Sequence, residues 1–131
     1  MGAEGPRSVL TEPLPNARHE SFAGIDVAVV HAGAARVKRL VYPPGFRWSQ
    51  EVRPLIGTEV CHHCHVGFLA QGHLRGEYED GCGFDFVAPA VIVIEPGHDA
   101  WVVGDDPAVL IQFDFEADSV ERLGLQGAHH D

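Results

Sequence analysis

The apolar runs of this sequence are short, alternate with a period of two and are separated by turn residues. Residues 25–29 (IDVAV) show the alternation of a half-buried strand. Comparable β-branched or aromatic runs follow along the chain at 35–42, 63–71, 74–78, 83–87, 91–94, 99–103 and 108–115. Because no helix of crossover length separates them, the pattern predicts an all-β sandwich or barrel and excludes a parallel βαβ sheet.

The chain has 131 residues, which is enough for one domain with a real core. Residues 1–22 are rich in proline and polar residues and are predicted to form an N-terminal arm or an edge strand. We assign 23–118 to the barrel and 119–131 to a C-terminal helix or tail. The one predicted helix is 116–123, capped by Asp118 or Ser119 and stopped by Gly124.

The formal net charge is −10, so we expect no nucleic-acid partner. The longest apolar runs, such as Val91–Ile94, fall far short of the roughly 18 residues of a membrane span. Residues 1–10 have neither the basic start nor the apolar stretch of a secretory signal. The three cysteines are an odd number, which argues against a disulfide framework. We therefore expect a reduced, cytoplasmic protein without a membrane partner.

The pentapeptide Cys61–His65 (CHHCH) carries most of the chemical information in the sequence. Thiolate and imidazole are the ligand types that zinc, iron and copper prefer in proteins. Five such residues in succession favour a metal site over a histidine-rich surface loop.

Other chemistries fit the same residues less well. Cys-x-x-Cys-His is also the attachment motif of c-type haem, but the chain offers only Met1 as a thioether ligand. A redox Cys-x-x-Cys usually begins a helix, whereas this one leads into a predicted strand. A closed structural zinc site would need a further ligand pair, and Cys82 and His98 do not form one.

Strand geometry orders the possible ligands. If residues 59–71 are extended, alternate side chains share a face, which places Glu59, Cys61, His63 and His65 together. His62 and Cys64 then point the other way and serve packing or the surface. His98 follows the Pro96–Gly97 turn and is the natural contribution of a later strand.

Three segments carry a resemblance to a known family: 48–54 (WSQEVRP), 57–72 (GTEVCHHCHVGFLAQG) and 94–107 (IEPGHDAWVVGDDP). Over about residues 25–115 the chain resembles small single-domain bacterial cupins whose second half reads PPGHDAWVVGDEP. The resemblance implies a double-stranded β-helix, which is a jelly-roll barrel that often forms homodimers.

The resemblance also implies a metal site with substituted ligands. The general cupin ligand positions of the first motif fall on Glu59, Cys61 and His65, and that of the second falls on Ala100, two residues after His98. The implied ligand set is Cys61, His65 and His98, with Glu59 or water as the fourth. Such a set suits zinc best. Iron, held by His65, His98 and Glu59, ranks second.

Two functions remain open at this point. The first is a metal-binding protein with a small-molecule pocket, in which a catalytic metal would act as a Lewis acid or activate water, with Glu59 or His63 as proton carrier. The second is a non-catalytic ligand-binding or sensing cupin, with an apolar pocket lined by Trp48, Phe68 and Trp101. The basic residues Arg36, Lys38 and Arg39 are predicted to lie on a solvated strand face or at the dimer rim.

Overall fold

The computed structural model describes residues 8–58, 61, 63–115 and 117–125. Within them the chain forms nine strands and three short α-helices. The strands are β1 (Arg18–Phe22), β2 (Ile25–Ala32), β3 (Ala35–Tyr42), β4 (His65–Gln71), β5 (His73–Tyr78), β6 (Gly83–Val87), β7 (Ala90–Ile94), β8 (His98–Val102) and β9 (Ala108–Phe115). The helices are α1 (Trp48–Glu51), α2 (Arg53–Ile56) and α3 (Ser119–Arg122).

The strands make two antiparallel sheets. One has six strands in the order β1-β2-β3-β9-β4-β7, and the other has three in the order β6-β5-β8. The last strand, β9, lies between β3 and β4, so the end of the barrel sequence occupies the middle of the larger sheet. This topology confirms the predicted all-β jelly roll. No helix in the described residues is long and apolar enough to cross a membrane.

The core lies between the two sheets and follows from the period-two pattern. Leu69, Ile92 and Leu110 point inward from three adjacent strands and are fully buried. Full burial of each such side chain stabilises the fold by about 1.5–3 kcal/mol. Strand β5 shows the alternation directly, because its inward residues are buried and its outward residues are not.

The outer face of the larger sheet is partly covered by the residues that precede β1. Ser8 hydrogen-bonds Gln71 at the end of β4, and Arg39 donates from Nη1 to the carbonyl of Glu12 at 2.6 Å. Arg39 is therefore only 4% exposed, which corrects the prediction that it lies on a solvated face. Strand β1 pairs with β2 and forms the edge of the sheet.

Local structure departs from the sequence prediction at two places. The stretch 46–57, where no helix was predicted, contains α1 and α2, because Pro54 suits a first helical turn and Gly57 closes the helix at a φ of +82°. At α3, Asp118 takes the N-cap position without a side-chain cap bond. The hydroxyl of Ser119 instead bonds the backbone of Phe115.

Candidate metal centre

Two of the three candidate ligands are joined through their backbones. The amide of Cys61 donates to the carbonyl of His98 at 2.7 Å, and the amide of Gly97 donates to the carbonyl of Cys61 at 2.7 Å. Gly97 has a φ of +93°, which a glycine adopts without strain and which turns the chain into β8. Residues 61 and 98 therefore face each other although 36 residues separate them in the sequence.

The third ligand comes from the neighbouring sheet. His65 is the first residue of β4 and pairs with Ile94 of β7, just before the turn that leads to His98. The rings of His65 and His98 have centroids 5.2 Å apart at an interplanar angle of 65°. One ligand atom from each of Cys61, His65 and His98 lies within 4.8 Å of the others. Cys61 and His98 are buried, with 3% and 1% of their surface exposed.

Hydrogen bonds fix which ring nitrogen each histidine offers. Nδ1 of His98 lies 2.7 Å from the carbonyl oxygen of Glu95, so it donates a proton and leaves Nε2 as the lone-pair nitrogen. Nδ1 of His65 lies 2.6 Å from Oε1 of Gln112, with the same consequence. Metal-bound histidines typically donate their other N–H to such an acceptor.

The support of His65 extends further into the larger sheet. Gln112 donates from Nε2 to Asp114 at 3.1 Å, which orients its amide oxygen toward His65. Asp114 in turn accepts from Arg36 at 2.8 Å and pairs with Lys38 at 3.0 Å. Burial opposes ionisation of Asp114, but the hydrogen bonds from the two cations hold its pKa below its usual range. Arg36 and Lys38 are therefore paired and partly buried, which corrects the predicted solvated face.

The support of His98 comes from the turn before β8. The Tyr78 hydroxyl donates to Oε2 of Glu95 at 2.5 Å and accepts from the Glu95 amide at 3.1 Å. Because the Glu95 carbonyl is the acceptor for His98, these two bonds hold the acceptor in place. Glu95 and Tyr78 thus position His98, although neither belongs to the candidate ligand group.

Burial decides the charge of all three side chains. Desolvation, with His98 nearby, lowers the pKa of His65 to about 3. Desolvation also lowers the pKa of His98 to about 4, although its bond to Glu95 opposes the shift. Desolvation raises the pKa of the Cys61 thiol to about 11. At neutral pH both imidazoles are thus free of the competing proton, and only the thiol has a proton to give up to a cation.

The donor set fits a zinc-like ion. Ligand atoms around a four-coordinate zinc with bonds of roughly 2.0–2.3 Å lie roughly 3.3–3.8 Å apart, which small side-chain rotations from the observed spacing achieve. One thiolate and two imidazoles also leave a coordination position for a non-protein ligand.

The other predicted site residues fall in different places. Glu59 and His62 lie outside the described residues. His63 is exposed, and its Nδ1 lies 4.0 Å from Cys61 Sγ without joining the ligand group. Cys64 is buried and lines the cavity described next. The alternation expected over 59–71 is not continuous in the described residues, because β4 begins only at His65 and residues 63 and 64 belong to no strand.

A cavity of about 560 Å³ opens beside the three ligands inside the barrel. Tyr42, Phe46 and Trp48 line it together with aliphatic core residues. Of the three aromatic residues predicted to line a pocket, only Trp48 does so. Phe68 is 41% exposed on the outer face of the larger sheet, and Trp101 packs under the guanidinium of Arg47 at 4.1 Å.

The sequence pattern did not identify Gln112 and Asp114 as site residues, because it placed them on the strand face opposite the apolar residues of β9. They share their strand face with Ala108 and Leu110, which are fully buried. That parity was the available signal, since a polar residue in register with a buried leucine is a candidate for a buried network.

The two packed sheets, the enclosed cavity and the histidine-containing ligand group define the class of the molecule as a jelly-roll barrel of the cupin type. Solved structures agree on the fold. A Cupin 2 conserved barrel domain protein from Salinispora arenicola is similar at 15% identity over 93% of this chain and 99% of its own, with a TM-score of 0.56. The cupin domain of Schizosaccharomyces pombe Cnp3 is similar at 13% identity over 86% and 74%, with a TM-score of 0.53.

A third similar structure is the formate complex of an oxalate decarboxylase from Lactobacillus farciminis. It shares 18% identity over 90% of this chain, has a TM-score of 0.54, and is matched over 36% of its own length. No family model and no curated protein matches the chain. At these identities the likenesses establish the cupin fold, and the chemistry has to be argued from the site.

Proposed function

We propose that this chain is a metal-binding cupin-domain protein that holds one divalent ion beside a small-molecule cavity, with zinc ranked before iron. The observation that carries the proposal is the convergence of Cys61, His65 and His98, from separate segments, onto one wall of the cavity. A buried cluster of this kind is costly in a protein that does not use it, because each polar side chain loses its hydration.

A bound ion would supply Lewis acidity or an activated water at the open coordination position. The chain's own residues provide the rest of the site. Gln112 and the Glu95 carbonyl hold the two imidazoles in the tautomer that presents Nε2. His63, which is exposed and close to Cys61, is our candidate for carrying a proton between the site and solvent, and Glu59 or water is our candidate for the fourth ligand.

A non-catalytic ligand-binding or sensing role is the second candidate. The walls of the cavity favour it, because they are mainly aliphatic and aromatic and so suit binding more than proton transfer. Turnover that disappears in ligand variants would establish the enzyme, whereas tight binding of an unchanged molecule would establish the sensor.

The first test is metal content. Protein purified without a polyhistidine tag should contain about one zinc per chain by elemental analysis. Cys61→Ser and His98→Gln should each reduce that content at least tenfold, because each removes one of three ligands. Cys82→Ser is the matched control, since Cys82 is an exposed thiol outside the group. A wild-type content near zero, or equal content in all four proteins, would contradict the proposal.

Two further assignments belong to the same proposal. The exposed apolar residues on the outer face of the larger sheet support a homodimer, as developed in the Discussion. A reducing, cytoplasmic location is supported by the thiol ligand itself, because a thiolate keeps its metal best where disulfides do not form.

A further inference from the structure

Tyr42, at the end of β3, brings a polar group to the cavity. The residue is 8% exposed, and its ring packs against Phe46 with centroids 5.1 Å apart. Its hydroxyl has no hydrogen-bond partner among the described residues. The hydroxyl of Tyr78, the other tyrosine, donates to the carboxylate of Glu95 and accepts from its amide.

Tyr42 lines the same cavity as Cys61, His65 and His98. A phenol is protonated at neutral pH, and burial raises the pKa of Tyr42 above its ordinary value, so the hydroxyl is a hydrogen-bond donor. A molecule in the cavity can supply the acceptor that the described residues do not.

The charge of the centre selects the kind of acceptor. With water and not Glu59 in the fourth position, a divalent ion held by one thiolate and two neutral imidazoles keeps one positive charge, which a single anionic oxygen balances. The charged side chains that line the cavity do not reverse the preference for an anionic oxygen. Asp114 is paired with Arg36 and Lys38, and the remaining acidic residues of the lining are exposed and screened by solvent: Glu20, Asp118 and Glu121.

Resting on the metal site proposed above, we propose that the cavity binds a small monocarboxylic acid with an apolar body, and that Tyr42 selects it. One carboxylate oxygen takes the open metal position, and the other accepts the hydrogen bond of Tyr42. The apolar body packs against Phe46 and Trp48. A cavity of about 560 Å³ is of the size that drug-sized ligands occupy.

The test uses zinc-loaded full-length protein and three probes, measured by titration calorimetry. Phenylacetate has both the carboxylate and the apolar body, acetate lacks the body, and 2-phenylacetamide lacks the charge. Phenylacetate should bind at least tenfold more tightly than either of the others. In Tyr42→Phe its affinity should fall about tenfold, because a hydrogen bond to a charged group is lost while the ring is kept. Phe68→Tyr, a hydroxyl change on the outer face, should leave the affinity unchanged.

The outcomes distinguish failure of this inference from failure of the metal-site proposal on which it rests. Equal phenylacetate affinity in wild type and Tyr42→Phe, with one zinc bound in each, overturns the role of Tyr42 and leaves the metal site standing. Equal affinity for phenylacetate and the amide overturns the assignment of an anionic ligand. Failure of wild type to load zinc overturns the metal site, and the inference with it.

Discussion

At the scale of single residues, burial keeps the two histidines of the candidate metal centre uncharged. His65 and His98 both donate Nδ1–H to an oxygen acceptor, one from a side chain and one from the backbone. Their depressed pKa values mean that protons do not compete with a metal at neutral pH. Cys61 is the reverse case, because the same burial keeps its thiol protonated until a cation arrives.

This asymmetry predicts the pH dependence of metal binding. Between pH 6 and 9 the histidines, with pKa values of about 3 and 4, are already deprotonated, and the thiol, with a pKa of about 11, is still protonated. Each bound zinc should therefore release one proton, and its affinity should rise about tenfold per pH unit. Competition titrations with a chelator of known pH dependence measure the slope.

A steeper dependence of zinc affinity on pH would contradict this prediction. Histidines with an ordinary pKa near 6.5 would each add a proton to the balance below that pH, so the slope would steepen toward three as the solution becomes acidic. Cys61→Ser should remove the slope of one over the neutral range, because the proton that zinc displaces belongs to that thiol.

At the scale of elements, β4 and β9 lie unusually close at Gly67. A methyl group on Gly67 would meet the carbonyl oxygen of Ile111 at 1.9 Å, so no side chain fits there. Gly67 also pairs with Gln112, the residue that orients His65. The close approach of the two strands therefore positions a ligand as well as filling the core.

Gly67→Ala should consequently destabilise the fold by about 3 kcal/mol, since the strands must separate to admit the methyl group. Denaturant unfolding measures the loss, and the metal affinity of the folded fraction should fall as well. Gly83→Ala in β6 is the control, because its methyl group would have only one neighbour, the Gly76 carbonyl at 3.4 Å. Equal stability of the two variants would contradict the prediction.

The elements also show what the sequence reveals and what it hides. Alternation of apolar residues predicted the strands and an all-β sandwich or barrel, because one buried face per strand places an apolar residue at every second position. The jelly roll itself followed from the resemblance to cupins. The same rule placed the start of this strand at residue 63, whereas β4 begins at His65 and residues 63 and 64 belong to no strand. Strand parity marked Gln112 as inward-facing, but its contact with His65 on the adjacent strand β4 and the place of Tyr42 in the cavity depend on the fold, which no local pattern encodes.

At the scale of the whole molecule, the outer face of the larger sheet is apolar over several strands. Val91 of β7 is 78% exposed and pairs with the exposed Phe68 of β4. Further exposed apolar residues of the larger sheet are Val37 of β3, Val93 of β7 and Phe113 of β9. A contiguous apolar surface usually marks an interface. Two copies of a chain with a net charge of −10 repel each other least where such a surface holds no carboxylate.

We therefore expect a homodimer that joins through this face. Val91→Glu should weaken dimerisation about a hundredfold, because it buries an unpaired carboxylate in the contact. Sedimentation velocity across a concentration series measures the effect. Leu55→Glu, an equivalent change at an exposed position of α2, should leave the dimer intact. A wild-type monomer at all concentrations would contradict the expectation.

The place of β9 between β3 and β4 has a consequence for how the chain matures during synthesis. Until the ribosome has released the segment that becomes β9, the facing edges of β3 and β4 have no partner, and Gln112 has not reached His65. The nascent chain therefore exposes two unpaired strand edges until β9 joins the sheet, and unpaired edges of this kind favour aggregation. His65 is accordingly aimed correctly for a metal only after β9 has joined the sheet.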